Sequence, residues 1–456
     1  MRNAPLFAPL ALALAVAAPA FAQPLGGEQP LLKEVAAQVS PQRQRATIEK
    51  LVSFGTRHAG SDTKSDKRGV GAARRWIASE FNSISKDCGG RLKVETPSQV
   101  MTAPRLAGPT EIMDVLGVLP GTTDPGRVIV ISGHYDSRNS DANDFTGDAP
   151  GANDDGSGTA AVIEAARALC QHEYPATLVF AALSGEEEGL LGGKVLADYA
   201  LAQGWRVEAD LNNDIVGNTE GMGGVRDNTH VRVFSEGTRS TETPEQANRR
   251  RYNGGEVDSP SRNLARFMDR LADQYLTNLD VKMIYRTDRF GRGGDQVEML
   301  AAGFPAVRVT EAAENYTRQH QNLRTEHGIK YGDVIEGVDF DYLAQVTRLN
   351  VVTMAALAMA PAPPTGVEIE GAVGPDTTVK WTPAKDAAAY RVWWRGTTDP
   401  QWRYSRAVGT GGTVRLPNVV IDDWFFGVSA IGPDGFESPV VFPGAPGTFE
   451  RGGTAK

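Results

Sequence analysis

The chain has 456 residues, 41 % hydrophobic and 23 % charged, with 56 acidic against 47 basic side chains and a net charge of −9. That length allows two or three domains, and the acidic balance argues against a nucleic-acid partner. The two cysteines, Cys88 and Cys170, have no metal-ligand spacing to another cysteine, which leaves either one disulfide or two unpaired thiols.

Arg2 precedes an apolar stretch from Ala4 to Ala18, and Ala20-Phe21-Ala22 is a small-x-small cleavage site before Gln23. Residues 1–22 therefore read as a secretory signal peptide. This predicts a secreted or periplasmic protein, a setting that permits a disulfide. The apolar run is short for a membrane span, and no later segment reaches that length.

Residues 23–45 mix helical and loop signals. In the loop from Gly55 to Ser61, His58 reads as a structural or rim residue, because Asp62 is the only other metal-capable group nearby. Ala72, Ala73, Trp76, Ile77 and Phe81 recur at helical spacing over residues 67–83. Residues 92–95 and 112–119 read as strands. Val128-Ile129-Val130-Ile131 is a buried strand that runs into His134-Tyr135-Asp136. Gly151-Ala152-Asn153-Asp154-Asp155-Gly156-Ser157-Gly158 is a Gly-rich turn opening a helix. Thr177 to Leu183 is a second apolar strand and ends in Glu186-Glu187-Glu188-Gly189. Residues 190–201 are helical, and residues 210–217 form a third strand-like piece with Asp214 near its end.

Residues 218–258 look least ordered outside Val231–Phe234, and 246–255, with Arg249-Arg250-Arg251, reads as a solvated loop. Ser259-Pro260 starts a helix whose apolar face is Leu264, Phe267, Met268, Leu271 and Tyr275. Residues 281–285 form a strand and 286–295 an Arg- and Gly-rich loop. Residues 304–309 form another strand, followed by a loop carrying His320 and a closing helix over 342–359. Strands alternating with helices predict an α/β domain over 23–360, its central mixed, largely parallel sheet flanked by helices. Pro361-Ala362-Pro363-Pro364 is a stiff linker, 361–364. Five of the seven tryptophans follow it, and alternating runs such as Tyr390–Trp394 and Trp424–Ala430 predict a small all-β sandwich over 365–450. Its tryptophans read as core before ligand platform, and a surface or polymer ligand is the partner the sandwich would take.

His134, Asp154, Glu187, Asp214 and His320 all fall at strand ends, where open α/β sheets build sites. Five such ligands without cysteine suit zinc or another borderline divalent ion. They are too many for one tetrahedral site and match two ions sharing a carboxylate. Of the adjacent Glu186 and Glu187, one can hold metal while the other takes a proton from water. Asp136, two residues after His134, suits a carboxylate that steadies the imidazole.

The order His-x-Asp, Gly-Ala-Asn-Asp-Asp-Gly-Ser-Gly, Glu-Glu-x-Gly, Asp and His resembles the di-zinc exopeptidases of metallopeptidase family twenty-eight over residues 45–360. That family includes bacterial leucyl aminopeptidases, glutamate carboxypeptidases and, more distantly, glutaminyl cyclases. The resemblance implies two Zn2+ ions, one on His134 and Asp214, the other on Glu187 and His320, with Asp154 bridging and Glu186 the general base. It also implies a cis peptide at Asp154-Asp155 and peptide or protein substrates. Glu188 allows a one-residue shift of base and ligand, and His327 competes with His320; Gly189-Leu190 and the Asn315-Tyr316 loop favour the first assignment in each case. The tyrosine with which bacterial aminopeptidases steady the tetrahedral intermediate has no counterpart in Arg289-Phe290-Gly291-Arg292, so Arg292 or Tyr316 is assigned that work. An aminopeptidase is the leading expectation. A carboxypeptidase or dipeptidase using Arg286, Arg289 and Arg292 as a carboxylate clamp is the first alternative; a single-zinc cyclase and a non-catalytic binding protein follow. The sandwich resembles a fibronectin type III domain through its Pro start, Trp381, Tyr390-x-Val392 and Gly432-Pro433-Asp434-Gly435.

Overall fold

The computed structural model describes residues 27–451; the signal peptide expected at 1–22 lies outside them. Three helices, α1 (Pro30–Ala37), α2 (Pro41–Val52) and α3 (Val70–Asp87), lead into β1 (Lys93–Glu95) and the hairpin β2 (Ser98–Met101) and β3 (Thr110–Met113). Then follow β4 (Val115–Leu119), β5 (Asp124–His134), α4 (Gly156–Leu169), β6 (Ala176–Leu183), α5 (Leu191–Ala202), β7 (Arg206–Asn213) and β8 (His230–Phe234). The remainder of this part comprises α6 (Pro244–Asn253), α7 (Pro260–Tyr275), β9 (Asp280–Ile284), α8 (Gln296–Ala301), β10 (Ala306–Glu311), the short hairpin β11 (Arg324–Glu326) and β12 (Ile329–Tyr331), and α9 (Phe340–Met359).

Eight strands form one sheet in the order β1-β4-β6-β5-β7-β10-β8-β9. Its centre, β6-β5-β7-β10, is parallel throughout, and β8 and β9 form a parallel pair at one edge. The mixed, largely parallel sheet expected from the alternation is present. The unbroken apolar runs follow from burial on both faces. Ile129 and Ile131 of β5, with Leu178 and Phe180 of β6, join the core under α2, α3, α4, α7 and α9. Val128 and Val130, with Val179 and Ala181, face the smaller core under α5 and α8. Each buried Val, Ile, Leu or Phe side chain contributes on the order of 1.5–3 kcal/mol.

Three local expectations change. The strand expected over 112–119 is broken at Asp114, whose carboxylate accepts the Ser184 N–H. The stretch read as a solvated loop contains α6. Its signal was present: Thr243 and Gln246 cap each other reciprocally, and Pro244 opens the helix. A helix this polar, with no buried residue, carries no apolar stripe, so periodicity misses it. The described part of residues 23–45, from 27 on, resolves into α1 and the start of α2. Cys88 and Cys170, at the ends of α3 and α4, are disulfide-bonded with Cα atoms 5.8 Å apart.

Beyond Ala360, β13 (Thr365–Glu370), β14 (Thr377–Thr382), β15 (Ala389–Gly396), β16 (Tyr404–Val408), β17 (Thr413–Leu416) and β18 (Trp424–Ile431) form two three-stranded antiparallel sheets, β13-β14-β17 and β16-β15-β18. Val367, Val379, Tyr390, Val392, Phe426 and Val428 fill one core between them, a small sandwich. Trp381, Trp393 and Trp402 are buried. The sandwich is docked, not appended. Arg395 of β15 donates to both oxygens of Asp258, at 2.8 and 2.9 Å, and Arg266 of α7 reaches the same carboxylate at 2.9 Å. Trp402 Nε1 donates to Asn263 at 3.0 Å, and Arg270 lies 4.3 Å over the Trp393 ring. Phe436 joins the main core.

Candidate metal centre

The C-terminal ends of the central parallel strands meet at one point. His134 is the last residue of β5, and Asp214 follows β7 directly. Glu186 and Glu187 lie in the turn between β6 and α5, Asp154 in the turn before α4, and His320 in the loop after β10. Close approach makes this convergence possible. A Cβ on Gly158 would fall 2.1 Å from the Asn213 carbonyl oxygen, and one on Gly133 would fall 2.7 Å from the Gly158 carbonyl carbon. Only glycines let the first turn of α4 sit against the strand ends.

Two three-residue groups, His134–Asp154–Asp214 and Asp154–Glu187–His320, have ligand atoms within 4.8 Å of one another, and Asp154 belongs to both. His134 Nε2 lies 3.4 Å from Asp154 Oδ1 and 4.0 Å from Asp214 Oδ1. His320 Nε2 lies 3.0 Å from Asp154 Oδ2 and 3.0 Å from Glu187 Oε1. All five expected ligands come together, each Asp154 oxygen facing a different group. His327 belongs to neither.

The donor set fits a pair of zinc ions. It is imidazole and carboxylate without thiolate. His134 Nδ1 and Nε2 and Glu187 Oε1 are buried without a protein hydrogen bond, an expensive arrangement unless another group claims them. The charges ask for a cation. Burial alone would discharge His134, yet Asp136, Asp154 and Asp155 hold its pKa well above the usual imidazole range. Burial acts likewise on His320, but Glu187 and Asp154 raise it to about 10.

Surrounding carboxylates hold the ligands in place. Asp136, 3.4 Å from His134 Nδ1, also accepts the backbone N–H groups of Glu186 and Glu187, so it ties the β5 and β6 ends together as well as facing the imidazole. The sequence did not mark three other supports. Asp155 accepts from the N–H groups of His134, Gly158 and Ile215 at 3.0, 2.9 and 3.2 Å, stitching β5, α4 and the β7 end. Asp333 accepts from Asn153 and Asp154 N–H, the latter at 2.7 Å. Arg57 donates to the Tyr135, Pro150 and Gly151 carbonyls. An Asp before Gly-Ser-Gly is a helix N-cap signal that could have exposed Asp155; Asp333 and Arg57 carry no comparable signature. The peptide Asp154-Asp155 is cis.

Glu186 is half-buried beside this cluster. Burial, reinforced by Asp214, Glu187 and Asp295, pushes its carboxyl well above the usual range against the pull of His134. Glu188 points elsewhere: its Oε1 lies 3.0 Å from Nε2 of the buried His58. His58 is therefore a structural residue.

Arg292 lies 3.1 Å from Glu314, Arg289 lies 3.5 Å from it, and Arg232 reaches it at 2.5 Å. Burial would raise the Glu314 carboxyl, but these three guanidinium groups hold it below its usual range. Arg286 lies 5.5 Å over the Phe290 ring. Tyr316 is 58 % exposed. Arg292 and Tyr316, expected to steady the tetrahedral intermediate, lie outside the two groups of candidate ligands.

The family model described as Peptidase family M28 matches residues 114–334, the span that carries all five candidate ligands. A protein of Leptosphaeria maculans named a "Probable zinc metalloprotease" is 45 % identical over 410 residues, covering 89 % of this chain and 95 % of the relative. Another of that name, from Pyrenophora teres f. teres, is 44 % identical over 418 residues, covering 90 % and 86 %. The LapA aminopeptidase of Legionella pneumophila shares the fold, with a TM-score of 0.52 at 18 % identity over 78 % of this chain and 80 % of that one. On these matches the chain belongs to peptidase family M28, as a zinc metalloprotease.

Proposed function

We propose that the protein is a secreted or periplasmic di-zinc exopeptidase, of aminopeptidase type, with Glu186 as general base. The observation that carries this reading is the pair of ligand groups sharing Asp154, with Glu186 on the residue next to ligand Glu187. His134, Asp154 and Asp214 would hold one zinc ion, and Asp154, Glu187 and His320 the other. When bound, such ions polarise a peptide carbonyl and make water acidic enough to attack it near neutral pH. The chain's own residues do the rest. Glu186 takes the proton of the attacking water on its carboxylate and returns it to the departing amine. Asp136 holds the His134 ring and the turn bearing both glutamates. Asp155 and Asp333 fix the backbone around Asp154.

Removal of residues from the amino end is favoured by the Arg-rich loop. Of the three arginines that could clamp a substrate's terminal carboxylate, Arg289 and Arg292 are turned onto Glu314 and Arg286 lies over the Phe290 ring. The fold shared with the LapA aminopeptidase is consistent with this direction. Export is supported by the leader pattern at 1–22 and by the Cys88–Cys170 disulfide. The test is product analysis on one free peptide and its N-acetylated and C-amidated forms. Residues should leave from the amino end, the amide should be cleaved, and acetylation should stop the reaction. Cleavage of the acetylated peptide but not the amide would overturn the aminopeptidase assignment.

A further inference from the structure

Each of the two terminal carboxylates faces its group with one oxygen and an arginine with the other. Asp214 Oδ1 faces His134, and its Oδ2 lies 2.6 Å from Arg308 Nη1. Glu187 Oε1 faces His320, and its Oε2 lies 3.3 Å from Arg138 Nε. The two arginines differ in how they are held. The Arg138 side chain is 15 % exposed. Arg308, on β10, is fully buried and also bonds the Gly293 carbonyl at 3.1 Å and the Asp214 carbonyl at 3.4 Å, and it pairs with Asp288 at 3.5 Å. Gly293 and Asp288 belong to the loop 286–295. A Cβ on Gly294 would fall 2.3 Å from Arg308 Nη1, so a glycine there is what admits the guanidinium.

We propose that Arg308 is a positioning residue: it reserves one oxygen of Asp214 for a metal ion and sets the loop 286–295 against that same ligand. This rests on the two-metal reading above. Two effects of Arg308 on zinc oppose each other. Its charge draws electron density from Asp214 and by itself weakens a zinc bond. Its grip on both the carboxylate and the carbonyl of Asp214 removes the freedom to swing away. Partners that orient metal ligands are typically worth 10–100-fold in affinity, so orientation outweighs charge withdrawal.

The test measures zinc affinity by chelator competition on the full chain, with zinc alone as the probe, in Arg308→Lys and Gly294→Ala. The first keeps the charge but loses the fork; the second crowds the fork, and Gln296 and Asp288 beside it, without removing any charged group. Melting temperatures and hydrogen exchange over 286–295 are followed on the same samples. Both variants should weaken one of two zinc sites by about 10–100-fold, leave the other unchanged and speed exchange in the loop. Unchanged affinity at both sites, tighter binding at either, or equal weakening of both alongside a general fall in melting temperature would overturn the proposal. Wild-type protein that binds fewer than two zinc ions would instead sink the two-metal reading itself.

Discussion

The metal centre and the seam between the α/β part and the sandwich both rest on buried Asp–Arg pairs, yet their carboxylates are left in different states. At the seam, Asp258 receives Arg395 on both oxygens and Arg266 on one. At the centre, Arg308 takes one oxygen of Asp214, while His134 Nε2 and Glu187 Oε1 face other candidate ligands without a protein hydrogen bond. A third carboxylate, Asp210 on β7, has neither arginine nor ligand neighbour; one oxygen accepts the Ser132 hydroxyl at 2.8 Å, and burial pushes its pKa up to about 7. Buried carboxylates are tolerated only when their charge is answered. Here the seam answers with guanidinium groups, the centre would answer with the proposed metal ions, and Asp210, with no cationic partner, has its pKa raised by burial.

Substitutions can break or sharpen that contrast. The largest effect is expected at the centre. Glu186→Gln should lower kcat by about 10²–10⁴-fold with zinc content unchanged; an equal loss of zinc would make Glu186 a ligand instead of the base. Next comes the seam. Asp258→Ala strands two buried guanidinium groups and should cost about 3–5 kcal/mol of stability, read by denaturant unfolding, with zinc affinity in the folded protein unaltered. A loss below 1 kcal/mol would mean that the seam is held by its other contacts, among them Trp402–Asn263, Gln401–Asp269 and Arg270 over Trp393.

The smallest effect is expected at Asp210. Its folded pKa lies above the unfolded value of about 3.9, so between about pH 4 and 7 the folded state keeps a proton the unfolded state has lost. Stability therefore falls as pH rises through that window. Asp210→Asn should make the fall shallower, by up to about 1.4 kcal/mol per pH unit; an identical slope would show that Asp210 is ionised in the fold.

The sequence exposed the ligands better than their supports. Metal chemistry puts His, Asp and Glu at strand ends, where an abrupt polar residue after an apolar run is conspicuous. Hence His134, Asp154, Glu187, Asp214 and His320 could be read together, as could the sheet that gathers them. Arg308 shows the opposite case. It is one polar residue inside a strand, and nothing local tells that its guanidinium reaches Asp214 just after β7. The seam was hidden for a related reason. Alternation marks Trp393 as a strand residue, but not the helix it faces, so nothing in the pattern showed that the sandwich docks. Arg289 and Arg292 looked like a free cationic loop because Glu314, which holds both, follows the next strand.

The central claim is that two zinc ions share Asp154. Zinc stoichiometry on wild-type protein and Asp154→Ala, by equilibrium dialysis at low free zinc with folding checked by circular dichroism, tests it most directly. The wild type should bind two ions per chain, and the folded variant should lose affinity for both. A folded Asp154→Ala protein that still binds two zinc ions as tightly as wild type would contradict the shared carboxylate.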